Sequence, residues 1–273
     1  MKMSRKYLYP LLLIAVTVAL YYGEQYVDME KNVLSDSTLN TGNNASSEFD
    51  DSFLPTSTTG AIVEHNYYTL SYSEDHEQAE WVAYALDKNQ LSKNEIKRPY
   101  FEEDPKVISI SADWRNYKNS GYDRGHLCPA ADRRFSVSAY NETFLTSNVS
   151  PQDREFNAGI WNRLEQKVRR WAKKHDGVYV VTGGVLKNNL KGIGYENVSV
   201  PEDFFKIILD TSGGEYKAIA FLIPNRPSSQ SYYDFVVSID EVEAKTGIDF
   251  FAKLPDSVES EFESINGIKN WGK

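Results

Sequence analysis

Six short segments of the chain have the apolar patterning of β-strands. Alternating apolar and polar positions indicate a half-buried strand, and a short apolar run bounded by turn residues indicates a buried one. The predicted strands are residues 61–72, 81–86, 107–111, 178–181, 204–209 and 216–223, with a Gly213-Gly214 turn joining the last two. For residues 81–86 a short helix is an alternative.

A different spacing follows Pro151. The apolar residues that recur there at helical spacing are Phe156, Ile160, Leu164, Val168 and Trp171. Gly177 is predicted to cap the end of this helix, and a shorter helix is predicted over residues 238–246, ended by Gly247. Strands mixed with a few helices, without a regular strand–helix–strand order, predict an α+β domain.

The first 22 residues have the organisation of an export signal. Basic residues within the first six precede residues 7–22, which carry no charge. Tyrosines at both ends and the lack of a small-x-small cleavage site favour an uncleaved signal anchor over residues 1–22, and a cleaved signal peptide is the alternative. The basic residues place the N-terminus in the cytoplasm. The expected location is therefore outside the cytoplasm, anchored to a membrane, or secreted or periplasmic if the signal is cleaved.

The rest of the chain divides by composition into two parts. Residues 23–60 are rich in Ser, Thr, Asn and Asp and are predicted to form a flexible tether. Residues 61–273 are predicted to form one folded domain. Its single cysteine, Cys128, excludes an intrachain disulfide and a cysteine zinc cluster.

Charge is unevenly distributed along the chain. The formal net charge is -9, which by itself argues against a polyanionic partner. Residues 93–174, however, contain 16 Lys and Arg against 11 Asp and Glu. A basic central region is compatible with nucleic acid binding, and uneven surface charge is an equally good interpretation of this count alone.

The most informative segment is Asp123-Arg124-Gly125-His126. Histidine titrates near neutrality and can accept a proton from water. Arginine offers a planar fork that fits a phosphate, and glycine lets the backbone approach a ligand closely. Alone, such a tetrapeptide is as compatible with a structural role as with a catalytic one.

A second group of polar residues lies on the predicted helix. Asn157, Trp161, Glu165 and Arg169 follow one another at four-residue steps, which predicts one gently drifting stripe. An amide oxygen beside a carboxylate suits a hard cation such as Mg²⁺, which keeps several waters and needs few protein ligands. A surface ion pair between Glu165 and Arg169 is the alternative.

Together the two segments resemble the DNA/RNA non-specific endonuclease family. The family's Asp-Arg-Gly-His motif matches residues 123–126, and the resemblance covers roughly residues 62–263. The other matches are Pro129, Ala130, Asn148, Pro151 and Gln152, Ser147 in place of the usual Thr, Asn157, Glu165, Arg169, and residues 179–184, 221–225 and 246–251.

The resemblance implies a ββα-metal nuclease fold, in which two strands and a helix hold the site against an antiparallel central sheet flanked by helices. It implies that His126 is the general base and that Asn157 holds one hydrated Mg²⁺, for which Mn²⁺ can substitute. Glu165 would orient metal-bound waters, and Arg124 and Arg169 would stabilise phosphate charge. The implied activity is hydrolysis of DNA and RNA with little sequence specificity, leaving 5′-phosphate ends.

Three further residues are expected to support this site. Asp123 is expected to orient a neighbour or to be structural, Asn148 to brace the motif loop, and Arg98 to be an additional phosphate contact.

Two other functions compete with this prediction. One is a catalytically inactive, membrane-tethered nucleic-acid-binding module, and the other is a sequence-specific homing or restriction nuclease. Competent residues at every matched catalytic position disfavour the first, and the short segment after Phe251 disfavours the second. The expected partners are DNA and RNA substrates, a membrane through the N-terminal segment, and a second copy of the chain in a homodimer.

Overall fold

A computed structural model describes residues 50–214, 216–254 and 271 of the 273-residue chain. The predicted anchor and most of the predicted tether lie outside these residues. Among the described residues, no helix is both long enough and apolar enough to cross a membrane.

The described chain contains eleven strands. They are β1 (Ile62–Glu64), β2 (Thr69–Ser73), β3 (Gln78–Asp87), β4 (Tyr122–His126), β5 (Val149–Asp153), β6 (Gly177–Gly184), β7 (Gly192–Ile193), β8 (Val198–Ser199), β9 (Asp203–Asp210), β10 (Lys217–Pro224) and β11 (Val236–Val237). Seven of them form one sheet in the order β1-β2-β3-β6-β9-β10-β11, and every neighbouring pair in it is antiparallel. The pairs β4-β5 and β7-β8 form two small separate ribbons. A large antiparallel sheet with a few helices is the α+β class that the sequence predicted.

The described residues also form four α-helices. They are α1 (Val137–Glu142), α2 (Arg154–Phe156), α3 (Asn162–Lys174) and α4 (Ile239–Thr246). Residues Asn157–Trp161 form a wider helical turn, called the π-turn below, which joins α2 to α3. Ser238 caps α4 by accepting a hydrogen bond from the Glu241 N–H, so the second predicted helix is confirmed.

The central sheet has an apolar core on each face, and strand β9 contributes to both. Phe204 and Ile208 pack into the core that contains Leu164 and Val168 of α3. Phe205 and Ile207 point the other way, into the core that contains Ile239 and Val242 of α4. Because side chains alternate along a strand, Lys206 falls on the α3 face between Phe204 and Ile208. That position becomes important at the functional site.

The segment between β3 and β6 leaves the central sheet, although those two strands pair directly. It contains the β4–β5 ribbon, then α2, the π-turn and α3. Helix α3 returns to the sheet, where Leu164, Val168 and Trp171 are buried. The predicted strand–strand–helix unit is therefore an insertion whose helix is fixed to the sheet by apolar packing.

One predicted strand is wrong. Residues 107–111 form turns, with the Ile110 N–H donating to the Val107 carbonyl at 2.9 Å. Only Val107 of the three apolar residues is buried, whereas Ile108 is fully exposed and Ile110 has a φ of 67°. An apolar run without a second buried position has nothing to hold it against a sheet.

Two predicted boundaries also differ from the structure. Residues 61–72 contain two strands, β1 and β2, rather than one. Gly177 does not cap a helix but begins β6, because α3 ends at Lys174 and Asp176 adopts the left-handed conformation with φ 64°. Pro151 lies inside β5, and the helix begins at Arg154 after the Asp153 side chain caps it.

Candidate active site

The β4–β5 ribbon displays the Asp-Arg-Gly-His segment. His126 is the last residue of β4 and pairs with Val149, while Arg124 pairs with Pro151. Alternation along β4 directs Arg124 and His126 to one face and Asp123 to the other. The side chains of this segment therefore lie in two adjacent but different environments, one on each face of β4.

Gly125 is required by the close approach of the neighbouring strand. A Cβ on Gly125 would lie 2.1 Å from Cδ and Oε1 of the Gln152 side chain, well inside contact distance. Gln152 is fully buried, and neither atom of its amide has a hydrogen-bond partner. The glycine thus allows a buried amide to sit directly against the motif strand.

Asn148 holds the loop that follows His126. Its Oδ1 accepts from the Cys128 N–H at 2.8 Å, and its Nδ2 donates to the carbonyls of Cys128 and Thr143 at 3.0 Å each. The Asn148 side chain is fully buried. It satisfies backbone groups that would otherwise be unpaired, which fixes where β4 ends.

His126 lies in an aromatic and positively charged environment. Its ring centroid is 5.5 Å from that of Phe101 and 5.0 Å from that of Phe144. The guanidinium of Arg98 lies over both phenyl rings, and that of Arg124 lies 4.7 Å from the Phe101 centroid. Burial lowers the pKa of His126 to about 3, with Arg98 and Arg124 acting in the same direction. The imidazole is therefore neutral at physiological pH.

Two features of this environment favour chemistry over structure. His126 Nε2 is buried and has no hydrogen-bond partner. Neither Arg98 nor Arg124 takes part in an ion pair within the described residues. Two unpaired guanidinium groups beside a neutral imidazole form a place where an anion is attracted and a proton can be accepted.

Asp123, on the other face of β4, contacts the helix. Its Oδ2 accepts from the Asn157 Nδ2 at 3.3 Å, and its Oδ1 accepts from Arg154 at 3.3 Å. Because only the NH₂ group of an amide can donate, the atom of Asn157 next to Asp123 is the nitrogen. Asn157 Oδ1 is left without a hydrogen bond from any described group.

Asn157 opens the π-turn. The Asn162 N–H donates to the Asn157 carbonyl, five residues back, and the backbone at Gly159 is non-helical (φ -97°, ψ -105°). In an ideal α-helix Asn157 and Glu165 would be separated by about 80° around the axis. A wider turn takes up one extra residue and reduces that angle to about 20°. The turn thus favours the placement of both side chains on one face.

Glu165 also belongs to a cluster of four charged groups. The other three members are Arg169, Asp132 and Lys206. Arg169 Nη1 donates to Asp132 Oδ1 at 2.6 Å, and Asp132 is almost fully buried. Lys206 is fully buried, its Nζ has no hydrogen-bond partner, and it lies 4.7 Å from the Trp161 ring centroid. Burial raises the pKa of Glu165, and the nearby Lys206 ammonium opposes that rise.

This geometry can be compared with known proteins. The sequence profile of the DNA/RNA non-specific endonuclease family matches residues 45–257. The chain belongs to this family. It is 36% identical to the mitochondrial nuclease EXOG of Danio rerio over 212 residues, which are 70% of this chain and 62% of that protein. It is 34% identical to the mitochondrial endonuclease G of Caenorhabditis elegans, with 79% of each chain covered.

The structural comparison agrees with the family assignment. The crystal structure of the EndoG/EndoGI complex matches 76% of this chain and 91% of that chain, with a TM-score of 0.69 and 30% identity. The ββα-metal nuclease fold expected from the resemblance is therefore confirmed.

The residues predicted from the family motif fall into three neighbouring groups. Arg124 and His126 share the aromatic environment around Phe101, with Arg98 beside them. Asn157 is bound to Asp123. Glu165 and Arg169 belong to the charged cluster. Within the described residues no hydrogen bond or ion pair joins one group to another; strand β4 and helix α3 connect them.

Two details differ from the predicted stripe of four residues. Trp161 is fully buried and packs against Phe156 and Phe204, because the π-turn rotates it into the core. Arg169 is already bound to Asp132. Stabilisation of phosphate charge by Arg169 stays a prediction. It would depend on the N–H groups of Arg169 that do not bind Asp132.

The sequence reasoning missed Asp132, Lys206 and the buried amide of Gln152. Lys206 left a visible signal, since it is the only charged residue within the apolar run of residues 204–209. A buried lysine is rare unless a partner compensates its charge. The partner could not be identified before the topology placed β9 beneath α3.

A hydrated magnesium ion fits the donor set of this family member. In the ranges that the structure describes, no three His, Cys, Asp or Glu side chains are grouped so that they could hold a metal. The unpaired Asn157 Oδ1, turned outward by Asp123, is a hard oxygen donor. Mg²⁺ binds through few protein oxygens and keeps several waters.

Proposed function

We propose that this chain is a magnesium-dependent endonuclease that hydrolyses phosphodiester bonds of DNA and RNA. The observation that carries the proposal is the neutral imidazole of His126, with its unpartnered Nε2, beside the unpaired Arg98 and Arg124. The family assignment supplies the class of reaction.

In the proposed reaction, a phosphate of the substrate lies near Arg124 and Arg98. The two guanidinium groups stabilise the negative charge that builds on the phosphoryl oxygens. His126 takes a proton from a water molecule as that water attacks phosphorus opposite the departing 3′ oxygen. The water becomes part of a 5′-phosphate, and the departing 3′ oxygen takes a proton from solvent, so the other product ends in a 3′-hydroxyl.

Asn157 would hold the metal ion through its Oδ1, and Glu165 would orient water near that ion. When bound, Mg²⁺ neutralises charge on the phosphate and polarises its bound waters. Asp123 keeps the Asn157 oxygen directed outward by accepting the hydrogen bond of its NH₂ group. Arg169 and Lys206 keep the local charge balanced beneath Glu165.

These groups act on phosphate and water, not on base edges. Sequence is read mainly through base edges in the grooves, whereas phosphate contacts position the backbone. A site of this composition is therefore expected to cut DNA and RNA with little sequence preference.

Digestion of plasmid DNA and total RNA by the purified full chain, with and without Mg²⁺, tests the proposal. We expect both nucleic acids to be cut only with the metal, and His126→Ala to lower turnover by about 10²–10⁴-fold. Near-normal cutting by a folded His126→Ala protein would contradict the role of His126. Binding of nucleic acid without cutting by the unaltered chain would instead support the inactive binding module.

We further propose that the catalytic domain acts outside the cytoplasm, tethered by residues 1–22 or released after their cleavage. A nuclease of low specificity would damage nucleic acid inside its own cell, and the basic start of the sequence gives the matching orientation. Cell fractionation with external protease treatment tests this location. Recovery of the intact chain from the soluble cytoplasm would contradict it.

A further inference from the structure

A second positively charged feature lies next to the candidate active site. A cavity of about 570 Å³, called the basic groove below, runs between helix α3 and the segments that face it. It is lined by Leu91, Ser92, Lys93, Ala131, Arg134, Gln166, Arg169, Arg170 and Lys173. Five of these nine residues are cationic and none is acidic.

The charge of the basic groove is largely uncompensated. Lys93, Arg134, Arg170 and Lys173 are exposed, and none of them takes part in an ion pair in the described parts of the chain. Only Arg169 has a partner, the buried Asp132. The whole chain carries a net charge of -9. Such a concentration of positive charge on an acidic protein points to an anionic ligand.

The groove begins close to the catalytic groups along both of its walls. Ala131 follows His126 by five residues, through the loop that Asn148 braces. Arg169 lies one helical turn beyond Glu165 on α3, and Lys173 lies one turn further. At 1.5 Å per residue these two cations are about 6 Å apart along the axis. That separation is on the scale of one to two nucleotides, whose rise along the axis of a duplex is about 3.4 Å each.

The lining also indicates what the groove does not bind. Among the described residues no aromatic side chain lines the groove, so this lining offers no ring on which a base could stack. Its cations instead suit phosphate groups, which are present at every position of a strand whatever the sequence.

We propose that the basic groove binds the phosphate backbone of the substrate strand a few nucleotides away from the bond that is cut. This inference rests on the proposed nuclease function and deepens it, because it makes affinity depend on substrate length. A substrate too short to reach the groove would use only the groups around His126.

The test uses the full chain with Arg134, Arg170 and Lys173 each replaced by Ala. The matched control replaces Lys106, Lys187 and Lys253 by Ala, which removes the same charge from positions that do not line the groove. Two substrates are compared over a series of salt concentrations: a duplex of about 30 base pairs and a thymidine phosphodiester with a nitrophenyl leaving group.

For the groove variant we expect KM for the duplex to rise at least tenfold near physiological salt. The slope of log affinity against log salt should become shallower by about 2 to 3, the value for three lost phosphate contacts. Turnover of the small diester should stay at the level of the unaltered protein, and the control variant should keep the original slope. Unchanged KM and slope in the groove variant, or an equal loss in the control, would overturn the proposal.

Fluorescence anisotropy with a labelled duplex separates this inference from the proposed function. If the unaltered chain cuts neither substrate, the proposed function fails, and the salt slope of binding still tests the groove. An unaltered binding slope in the groove variant then refutes the groove, and a slope shallower by 2 to 3 supports it.

Discussion

The carboxylate of Asp123 determines which atom of Asn157 is presented outward. Asp123 Oδ2 accepts a hydrogen bond from Asn157 Nδ2 at 3.3 Å, so Asn157 Oδ1 faces away from the carboxylate. One strand residue thereby orients the only side chain proposed to touch the metal. Groups that orient a metal ligand in this way commonly contribute 10–100-fold to metal affinity.

Replacement of Asp123 by Ala is expected to raise the Mg²⁺ concentration needed for half-maximal activity by about 10–100-fold. The cause is the lost acceptor, which leaves the Asn157 amide free to rotate. Turnover at saturating Mg²⁺ should change much less than the half-saturation value. A Mg²⁺ titration of plasmid cutting measures both.

Arg154→Ala is the matched control, because its largely exposed guanidinium contacts the same carboxylate without touching Asn157. It should leave the Mg²⁺ requirement near that of the unaltered chain. An unchanged requirement in Asp123→Ala would refute the orienting role.

The activity should persist to lower pH than an ordinary histidine base allows. His126 acts when neutral, so activity is lost as pH falls through its pKa, which the folded protein lowers from 6.5 to about 3. The acid limb of kcat/KM reports the free protein. We therefore expect that limb below pH 6.5, measured at saturating Mg²⁺.

Arg98→Gln should move the same limb to higher pH, because it removes one of the two positive charges that disfavour imidazolium. The shift is expected to be partial, since burial is the larger cause. Lys106→Gln removes an equal charge from a residue whose ammonium is bound to the Glu64 carbonyl, and should leave the limb in place. A limb that does not move in Arg98→Gln would contradict this assignment.

Removal of metal should abolish cutting in a reversible way. EDTA is expected to stop the digestion of plasmid, and added Mg²⁺ or Mn²⁺ to restore it, because the proposed reaction needs the ion to polarise water and to neutralise phosphate charge beside Arg98 and Arg124. Asn157→Ala should need far more metal or lose activity altogether. Normal cutting by the chelated protein would rule out the proposed one-metal mechanism.

Gly125→Ala should destabilise the fold by roughly 1–3 kcal/mol, the usual cost of overpacking. The added methyl would meet the Gln152 side chain at 2.1 Å. Calorimetry should show a fall in Tm of several degrees. In the Gly125→Ala/Gln152→Ala double variant, much of that fall in Tm should be recovered. A fall in Tm equal to the sum of the falls in the two single variants would contradict the contact.

Much of the fold could be predicted because its apolar segments are local and regular. The run at residues 204–209 became β9, and the helical spacing after Phe156 became the buried face of α3. Both features depend on periodicity, which a sequence displays directly. His126 ends β4, within the strand–strand–helix unit that the family resemblance implied.

The charged cluster could not be predicted in the same way. Lys206 lies beneath Glu165 only because β9 and α3 share one face of the sheet, and no local pattern specifies that pairing. Asp132 was overlooked because it lies in a short helical turn with no periodic signal. Likewise, a hydrogen bond between residues five apart leaves no mark in the sequence, so the π-turn appeared only in the structure.

The π-turn makes this short stretch intolerant of an added residue, because the turn has already taken up one. If an insertion added one residue after Ala158 and the turn kept its width, Asn157 would swing by roughly 100° relative to Glu165. The apolar face of α3 would be unaffected, since its residues lie after the insertion. Gain of one codon, without any change in the side chains of the site, would leave a folded protein that has the right groups in the wrong phase.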